Sequence, residues 1–414
     1  MVQQQQKNAS LLGVPDPEVL GRARDVAVRL KQRARDADRE RELPVENIRD
    51  LHEAGLMTLN ISLEYGGTQA DLITQMAVYE IIGGACASSA WCLGNHGVMC
   101  TRLQVMLGSG PNPYIRSIVE DGVLISHGAI PAGTTRAVEG GFVSSGRWPF
   151  ISGSNRAGWL WLSTLAPGPS PGWKSAEDAA EPPKNHNRWM LVRPDEPGVR
   201  IEQTWQAMAI RASMSNDVVL HEVFIPEERA PVAMRPTPHQ SWLPDGPVAL
   251  RVPSRSRPWM PAMMLGVAQA ALTETIEFAK PLGMSVGGQP RISMPGNQFA
   301  VADAAMAIEA GRAFLHQEGR AIMAKAAAGD QFTPEDINRI DMAGLVAREN
   351  AQAAVDRLFS IQGAHGLFET GNFERYYRDV RIGTLHAVST PDGVRELVGK
   401  HLFGVPADVQ PRWG

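Results

Sequence analysis

The side chains best suited to chemistry are two histidines, one serine and a set of aromatic residues. His386 ends the charged stretch Arg375-Tyr376-Tyr377-Arg378-Asp379-Val380-Arg381-Ile382-Gly383-Thr384-Leu385 and is followed by Ala387. An imidazole titrates near neutrality, so it can take a proton from a phenol-like group, or hold one on oxygen, without the permanent charge of Lys or Arg. His96 closes the run Ser88-Ser89-Ala90-Trp91-Cys92-Leu93-Gly94-Asn95. On a helix Trp91 and Asn95 share one face, and Cys92 and His96 form the neighbouring row. By spacing alone, a lone histidine on an apolar helix such as His96 is more often a satisfied core residue than a catalyst. Ser152 lies in Gly146-Arg147-Trp148-Pro149-Phe150-Ile151-Ser152-Gly153. A stiff strand there would set an aromatic wall, Trp148 and Phe150, beside a single hydroxyl. Arg211 and Ser213 stand in the polar run from Trp205 to Val218, where Arg211 could equally pair with Asp217. His127, in Ile125-Ser126-His127-Gly128, carries no comparable pattern.

These groups need elements to hold them. From Pro15 to about Asp121 the apolar residues recur at helical spacing, as in Val19, Ala23, Val26, Ala27 and Leu30. Helices are expected at 45–54, 73–83 and 88–107. Between about Leu124 and Pro231, short Val-, Trp-, Leu- and Ile-rich runs alternate with Gly, Pro and Asn clusters, which is a β signature. Candidate strands are 124–130, 141–148, 158–165, 188–192 and 217–225. The Pro- and Gly-dense stretch 167–183 reads as an exposed excursion. After a connector at 235–258, helices return at 261–279, 297–328, 334–359 and 393–402. The expectation is an α+β fold with three domains: 1–123 helical, 124–234 β, and 235–414 a helical bundle.

Composition excludes several classes. Lys and Arg total 40 against 44 Asp and Glu, with the signs interspersed, so there is no basic footprint for nucleic acid. Cys86, Cys92 and Cys100 fall within one apolar helical stretch, without the paired spacing of a zinc site, and read as buried thiols. No uninterrupted apolar run is long enough for a membrane span, and the glutamine-rich start lacks a signal-peptide core, so a cytoplasmic protein is expected. Neither a Gly-x-Gly-x-x-Gly after a strand nor a P-loop occurs, leaving no visible nicotinamide site.

Several motifs, in order along the chain, resemble those of the acyl-CoA dehydrogenase superfamily. They are Arg41-Glu42-Leu43-Pro44 leading to Ala54-Gly55-Leu56 and Glu64-Tyr65-Gly66-Gly67; the strand 146–153; Met208-Ala209-Ile210-Arg211-Ala212-Ser213-Met214-Ser215; Gln298-Phe299-Ala300-Val301-Ala302-Asp303; Gly363-Ala364-His365-Gly366; and Arg378-Asp379-Val380-Arg381-Ile382. The resemblance implies a helical domain, a β-barrel-like domain and a four-helix bundle, usually in a homotetramer. Many dehydrogenases of this family place a catalytic glutamate eight residues after the aspartate, where this chain has Ala387. A methyl group cannot take a proton. The chain therefore resembles the oxygenase component of two-component (group D) flavin monooxygenases. That resemblance implies reduced flavin (FADH2 or FMNH2) from a separate NAD(P)H:flavin reductase, dioxygen as co-substrate, and a flavin 4a-hydroperoxide that hydroxylates, or N- or S-oxidises, a small aromatic or heteroaromatic substrate. On it, His386 and Ser152 act on the oxygen with His96 assisting. Trp91, Trp148, Phe150, Ser152, Arg211 and Ser213 contact flavin, and Gly363 and Gly366 approach a neighbouring subunit's cofactor. No metal is implied. The arginine that dehydrogenases place eleven residues before the helix glutamine is missing before Gln298, so FAD and FMN both stay open. The alternatives are a dehydrogenase whose base has moved, to Glu369 or Glu374, and a non-catalytic flavin binder.

Overall fold

The computed structural model describes residues 13–107, 112–167, 185–233, 237–256, 258–280, 290–386 and 390–406. Most of the excursion at 167–183, part of the connector at 235–258, the first residues of the chain and Ala387 lie outside them. The fold is α+β, as the sequence predicts.

The N-terminal helices are α1 (Pro17–Glu40), α2 (Val45–Glu53), α3 (Leu72–Ala85), α4 (Ala87–Met106) and α5 (Pro113–Asp121). Asp16 starts α1 by accepting from the backbone N–H groups of Glu18 and Val19 at 2.9 and 3.2 Å, with Pro17 at the first helical position. Its apolar stripe, Val19, Ala23, Val26 and Leu30, is buried. By contrast α3 and α4 are buried on nearly all sides, because α3 lies between α1 and the C-terminal helices and α4 between the β-domain and the C-terminal helices.

Seven strands follow: β1 (Leu124–Gly128), β2 (Thr134–Val138), β3 (Gly141–Ile151), β4 (Ala157–Pro167), β5 (Asn185–Val192), β6 (Val199–Glu202) and β7 (Asn216–Pro226). They form a three-stranded sheet in the order β1-β4-β5 and a four-stranded antiparallel sheet in the order β2-β3-β7-β6. Strands β1 and β4 run parallel. Between the sheets lies a core of Phe142, Trp148, Ile151, Leu160, Leu162, Met190, Val218 and Ile225. The other face of the smaller sheet packs Trp161, Trp189 and Leu191 against Met99 and Leu103 of α4. That is how β1 and β5 come to border the helices. The short strands β2 and β6 escape sequence reading for different reasons: β2 is largely exposed and polar, while β6 alternates Val199 and Ile201 with Arg200 and Glu202 over only four residues, too short a run to mark a strand.

The chain then forms α6 (Trp259–Ala279), α7 (Pro295–Ala328), α8 (Pro334–Gln362), α9 (Phe373–Asp379) and α10 (Pro391–Leu402). Helix α6 crosses α3 at glycines. A Cβ on Gly266 would lie 1.9 Å from the Glu80 carbonyl oxygen, and one on Gly83 would lie 2.5 Å from that of Met263. The two backbones touch, and the N- and C-terminal helices share one core.

Candidate active site

A cavity of about 780 Å³ opens where the three groups of elements meet. Asn95, Met99 and Arg102 of α4, His127 of β1 and Trp189 of β5 form one side. Trp242, Arg255, Trp259, Asp341 and Arg348 form the other, and His386 completes the wall. The ring of His386 meets Trp91 edge-on, with centroids 5.5 Å apart, and Trp91 meets Trp259 at 5.3 Å. Tryptophan α-helical neighbours thus fix the imidazole from one side.

The other side is fixed by Arg348, which is 2% exposed and donates to the carbonyl oxygens of Gly344 and Gly383 at 3.2 and 2.6 Å. Gly383 closes against Met264, whose Cε would lie 2.6 Å from any added Cβ, so the segment Val380–Thr384 has little freedom to shift His386. Burial, with the Arg348 charge adding to it, holds the pKa of His386 below its ordinary value. The ring is consequently neutral at pH 7 and can exchange a proton.

Next to this wall runs a chain of hydroxyls. Trp91 Nε1 donates to Ser152 Oγ at 2.9 Å, Ser152 Oγ meets Ser215 Oγ at 2.8 Å, and Ser215 Oγ meets Ser213 Oγ at 2.8 Å. The two segments are stitched by Gly153 N–H donating to Ser213 O at 2.7 Å. Trp91, Ser152, Ser213 and His386, scattered across the sequence, are therefore assembled within one neighbourhood. Ser215 is not singled out by its sequence; it is brought beside Ser213 by the left-handed turn at Met214, φ 48°, which no residue pattern marks.

Trp148 and Phe150, expected to share a wall, are separated. The ladder of β3 on β7 slips between Trp148, opposite Val218, and Ile151, opposite Asn216. This bulge puts an extra residue on β3 and reverses the alternation of faces. Trp148 turns inward, 1% exposed, with its Nε1 donating to Ser163 O at 2.7 Å, so it is a core residue and not a flavin wall. Phe150 turns outward, 70% exposed, at φ 60°, edge-on to Trp205. A non-glycine residue held in the left-handed region costs about 1–3 kcal/mol and commonly marks a functional site.

His96 is not brought into the cavity. It is fully buried, its Nε2 lies 3.0 Å from Met57 O, and its Nδ1 accepts from Ile125 N–H at 3.1 Å. Both nitrogens are occupied, and burial lowers its pKa to about 4. We correct the expectation of an assisting role: His96 ties α4 to β1, and its predecessor Asn95 faces the cavity instead. Arg211 lies 3.6 Å from Asp38 and 3.7 Å from Glu369, whereas Asp217 pairs with Arg147 at 2.7 Å. Gly363 and Gly366 sit at the end of α8, outside the lining of this cavity, and open space surrounds the position of a Cβ at Gly363. Glu374 is engaged by Arg378 at 2.6 Å, and Glu369 is exposed; neither lines the cavity. Among the described residues no cluster suited to a metal ion occurs, and no helix is long and apolar enough to cross a membrane.

Comparison with known proteins agrees with this architecture. Residues 19–110 match the acyl-CoA dehydrogenase N-terminal domain and residues 259–391 the acyl-CoA dehydrogenase C-terminal domain, together more than half of the chain. The chain belongs to the acyl-CoA dehydrogenase family. Among its relatives, the flavin-dependent monooxygenase oxygenase subunit HsaA of Rhodococcus jostii (strain RHA1) is 25% identical over 91% of this chain and 96% of its own. The putative acyl-CoA dehydrogenase YdbM of Bacillus subtilis (strain 168) is 26% identical over 93% and 96%. In structure, XiaF from Streptomyces sp., solved with FADH2 and glycerol, superposes with a TM-score of 0.84 at 22% identity, over 99% of this chain and 100% of its own. At that identity the likeness speaks for the fold.

Proposed function

We propose that this protein is the oxygenase component of a two-component flavin monooxygenase, acting on a small aromatic or heteroaromatic substrate. Oxygenase and dehydrogenase relatives resemble the chain to a similar degree, so the choice rests on the site. The carrying observation is the absence of a usable carboxylate base. Among the described residues lining the cavity the acid is Asp341, 3.0 Å from Arg255, while an imidazole, His386, faces Trp91. A dehydrogenase needs a carboxylate to abstract a proton; an oxygenase needs a dry pocket with a group that can hold or give one.

A flavin suits the residues present. The outward Phe150 beside Trp205 offers an aromatic face, the Ser152–Ser215–Ser213 chain offers hydroxyl donors and acceptors, and the buried Nε of Arg211 lacks a hydrogen-bond partner among the described residues. When bound in reduced form, such a flavin supplies the electrons that activate dioxygen. The protein's part is to exclude water with Trp91 and Trp259, to hold a proton at the His386 ring, and to present the Ser152 hydroxyl, oriented by Trp91 Nε1. Both FAD and FMN are compatible with this. Since the chain shows no nicotinamide fingerprint, the reduced flavin comes from a separate NAD(P)H:flavin reductase. Gly363, in open space, and the exposed apolar Phe299, Met306, Leu367 and Phe368 suit a homotetramer in which subunits complete one another's sites. The three free, buried cysteines suit a cytoplasmic location.

The test supplies chemically reduced FAD or FMN to the purified protein, then oxygenated buffer and a panel of aromatic compounds. Products carrying one added oxygen atom, without any reductase in the tube, are expected. Bleaching of bound oxidised flavin by an acyl-CoA under anaerobic conditions would instead establish the dehydrogenase.

A further inference from the structure

Three of the motifs read from the sequence converge at a point that the chemistry above does not use. They are Arg41 just after α1, the turn 207–214, and Arg378-Asp379 at the end of α9. Arg41 Nη1 donates to Ala207 O at 3.0 Å, Arg378 Nη1 donates to Met208 O at 2.7 Å, and the Asp379 carboxylate accepts from Ile210 N–H at 2.6 Å. Arg378 is itself fixed, donating to Asp38 of α1 at 2.7 Å and to Glu374 at 2.6 Å. Two helices from opposite ends of the chain thus grip one turn.

The turn needs that grip. Ile210 stands at φ 41° and Met214 at φ 48°, left-handed backbone that a β-branched isoleucine rarely adopts. Within Ala207-Met208-Ala209-Ile210 there is no Gly, Asn or Asp to favour it, nor a side chain to bond its own backbone. The bonds have to come from outside, because such strain persists only where the surroundings over-determine it. What the strain delivers is placement. Ile210 O accepts from Trp205 Nε1 at 3.2 Å and from Ser213 N–H at 2.9 Å, so the turn sets both the indole beside Phe150 and the start of the hydroxyl chain. Asp38, Arg378 and Asp379 are each buried, and none lines the cavity.

We propose that Arg41, Arg378 and Asp379 are positioning residues for the flavin: they clamp the strained turn 207–214 and so present Trp205, Ser213 and Ser215 to the cofactor. This rests on the flavin reading given above. Arg41 carries a second mark of the role. It stands at φ 58°, the left-handed position after a helix where glycine is the unstrained residue. Glycine would serve α1 better; arginine adds the reach to Ala207.

Arg41 is half-buried, and its removal strands no buried charge, so Arg41→Gly separates positioning from folding. In the flavin-free variant the unfolding midpoint should hold or rise as strain is relieved, while amide exchange at Ile210 quickens by about tenfold. Affinity for dithionite-reduced FMN and FAD, titrated without oxygen, should fall about tenfold. Arg41→Lys, which keeps a donor of similar reach, should restore exchange and affinity to within about twofold of wild type. Asp379→Ala should likewise free the Ile210 amide, and Asp379→Asn, which keeps an acceptor, should protect it again. A midpoint that falls together with affinity in Arg41→Gly, or an affinity that does not change, overturns the inference alone. Failure of the wild-type protein to bind reduced flavin overturns the flavin reading, and the inference with it.

Discussion

At the scale of single residues, the site depends on which nitrogen and oxygen atoms the packing leaves available. His96 and His386 are both imidazoles in apolar surroundings, yet His96 has both nitrogens bonded to backbone whereas His386 borders open space. His386→Ala should therefore leave flavin binding intact while oxygen consumption continues and coupled product falls by about 10²-fold or more, the usual worth of a proton-transfer group. Full coupling in that variant, read as product per oxygen consumed, would remove its role. Phe150 tests the aromatic wall. Its φ of 60° suits Asn better than Phe, so Phe150→Asn should hold or raise the unfolding temperature of the flavin-free protein. The same variant should lose about tenfold in flavin affinity by titration, since the exposed ring is gone. Of these residues the sequence marked His386, Ser152, Trp91 and Phe150 by type and motif. It could not separate Phe150 from Trp148, because the bulge that parts them depends on pairing with β7, about seventy residues away.

At the scale of elements, two devices hold the site. One is the α3–α6 crossing. Gly266→Ala puts a methyl group against the Glu80 carbonyl, 1.9 Å from its oxygen, and must push the helices apart. A loss of about 1–3 kcal/mol is expected, seen as a lower midpoint in denaturant unfolding. Because α6 also carries Trp259 at its N-terminus, substrate affinity should weaken in the same variant. The other device is α4, whose two faces serve different purposes: Asn95 lines the cavity and Trp91 backs His386 in its wall, while Cys92 and His96 bond to the loop at Ser213 and to β1. Helical periodicity exposed both rows in the sequence. Which row met the cavity depended on where the β-domain docks.

For the whole molecule, buried neutral histidines link stability to acid. His96 has a folded pKa of about 4, below the unfolded value near 6.5, so the stability it contributes is fully present above pH 6.5. It is lost as pH falls toward 4, by about 3 kcal/mol. His316, lowered to about 4 chiefly by burial, acts in the same direction. Thermal midpoints measured from pH 8 to pH 4 should drop steeply below 6.5, and His96→Gln should be less stable at pH 8 but show a shallower acid limb. An acid limb as steep as the wild-type one would assign the loss to other groups.

Helical spacing, the switch to short β runs and the ordered motifs were enough to read the α+β layout and the family from the sequence, because each depends on local pattern or on residue type. Ala387 in the place of the glutamate was legible for the same reason. Proximity was not: that His127, Arg102, Trp242 and Arg348 surround the space beside His386 follows from the docking of β1, α4, the segment 237–256 and α8, parts far apart in the chain. Only the packed structure brings them together, since solvent exclusion at their shared boundary, rather than any local propensity, decides which side chains face the cavity and which join the core.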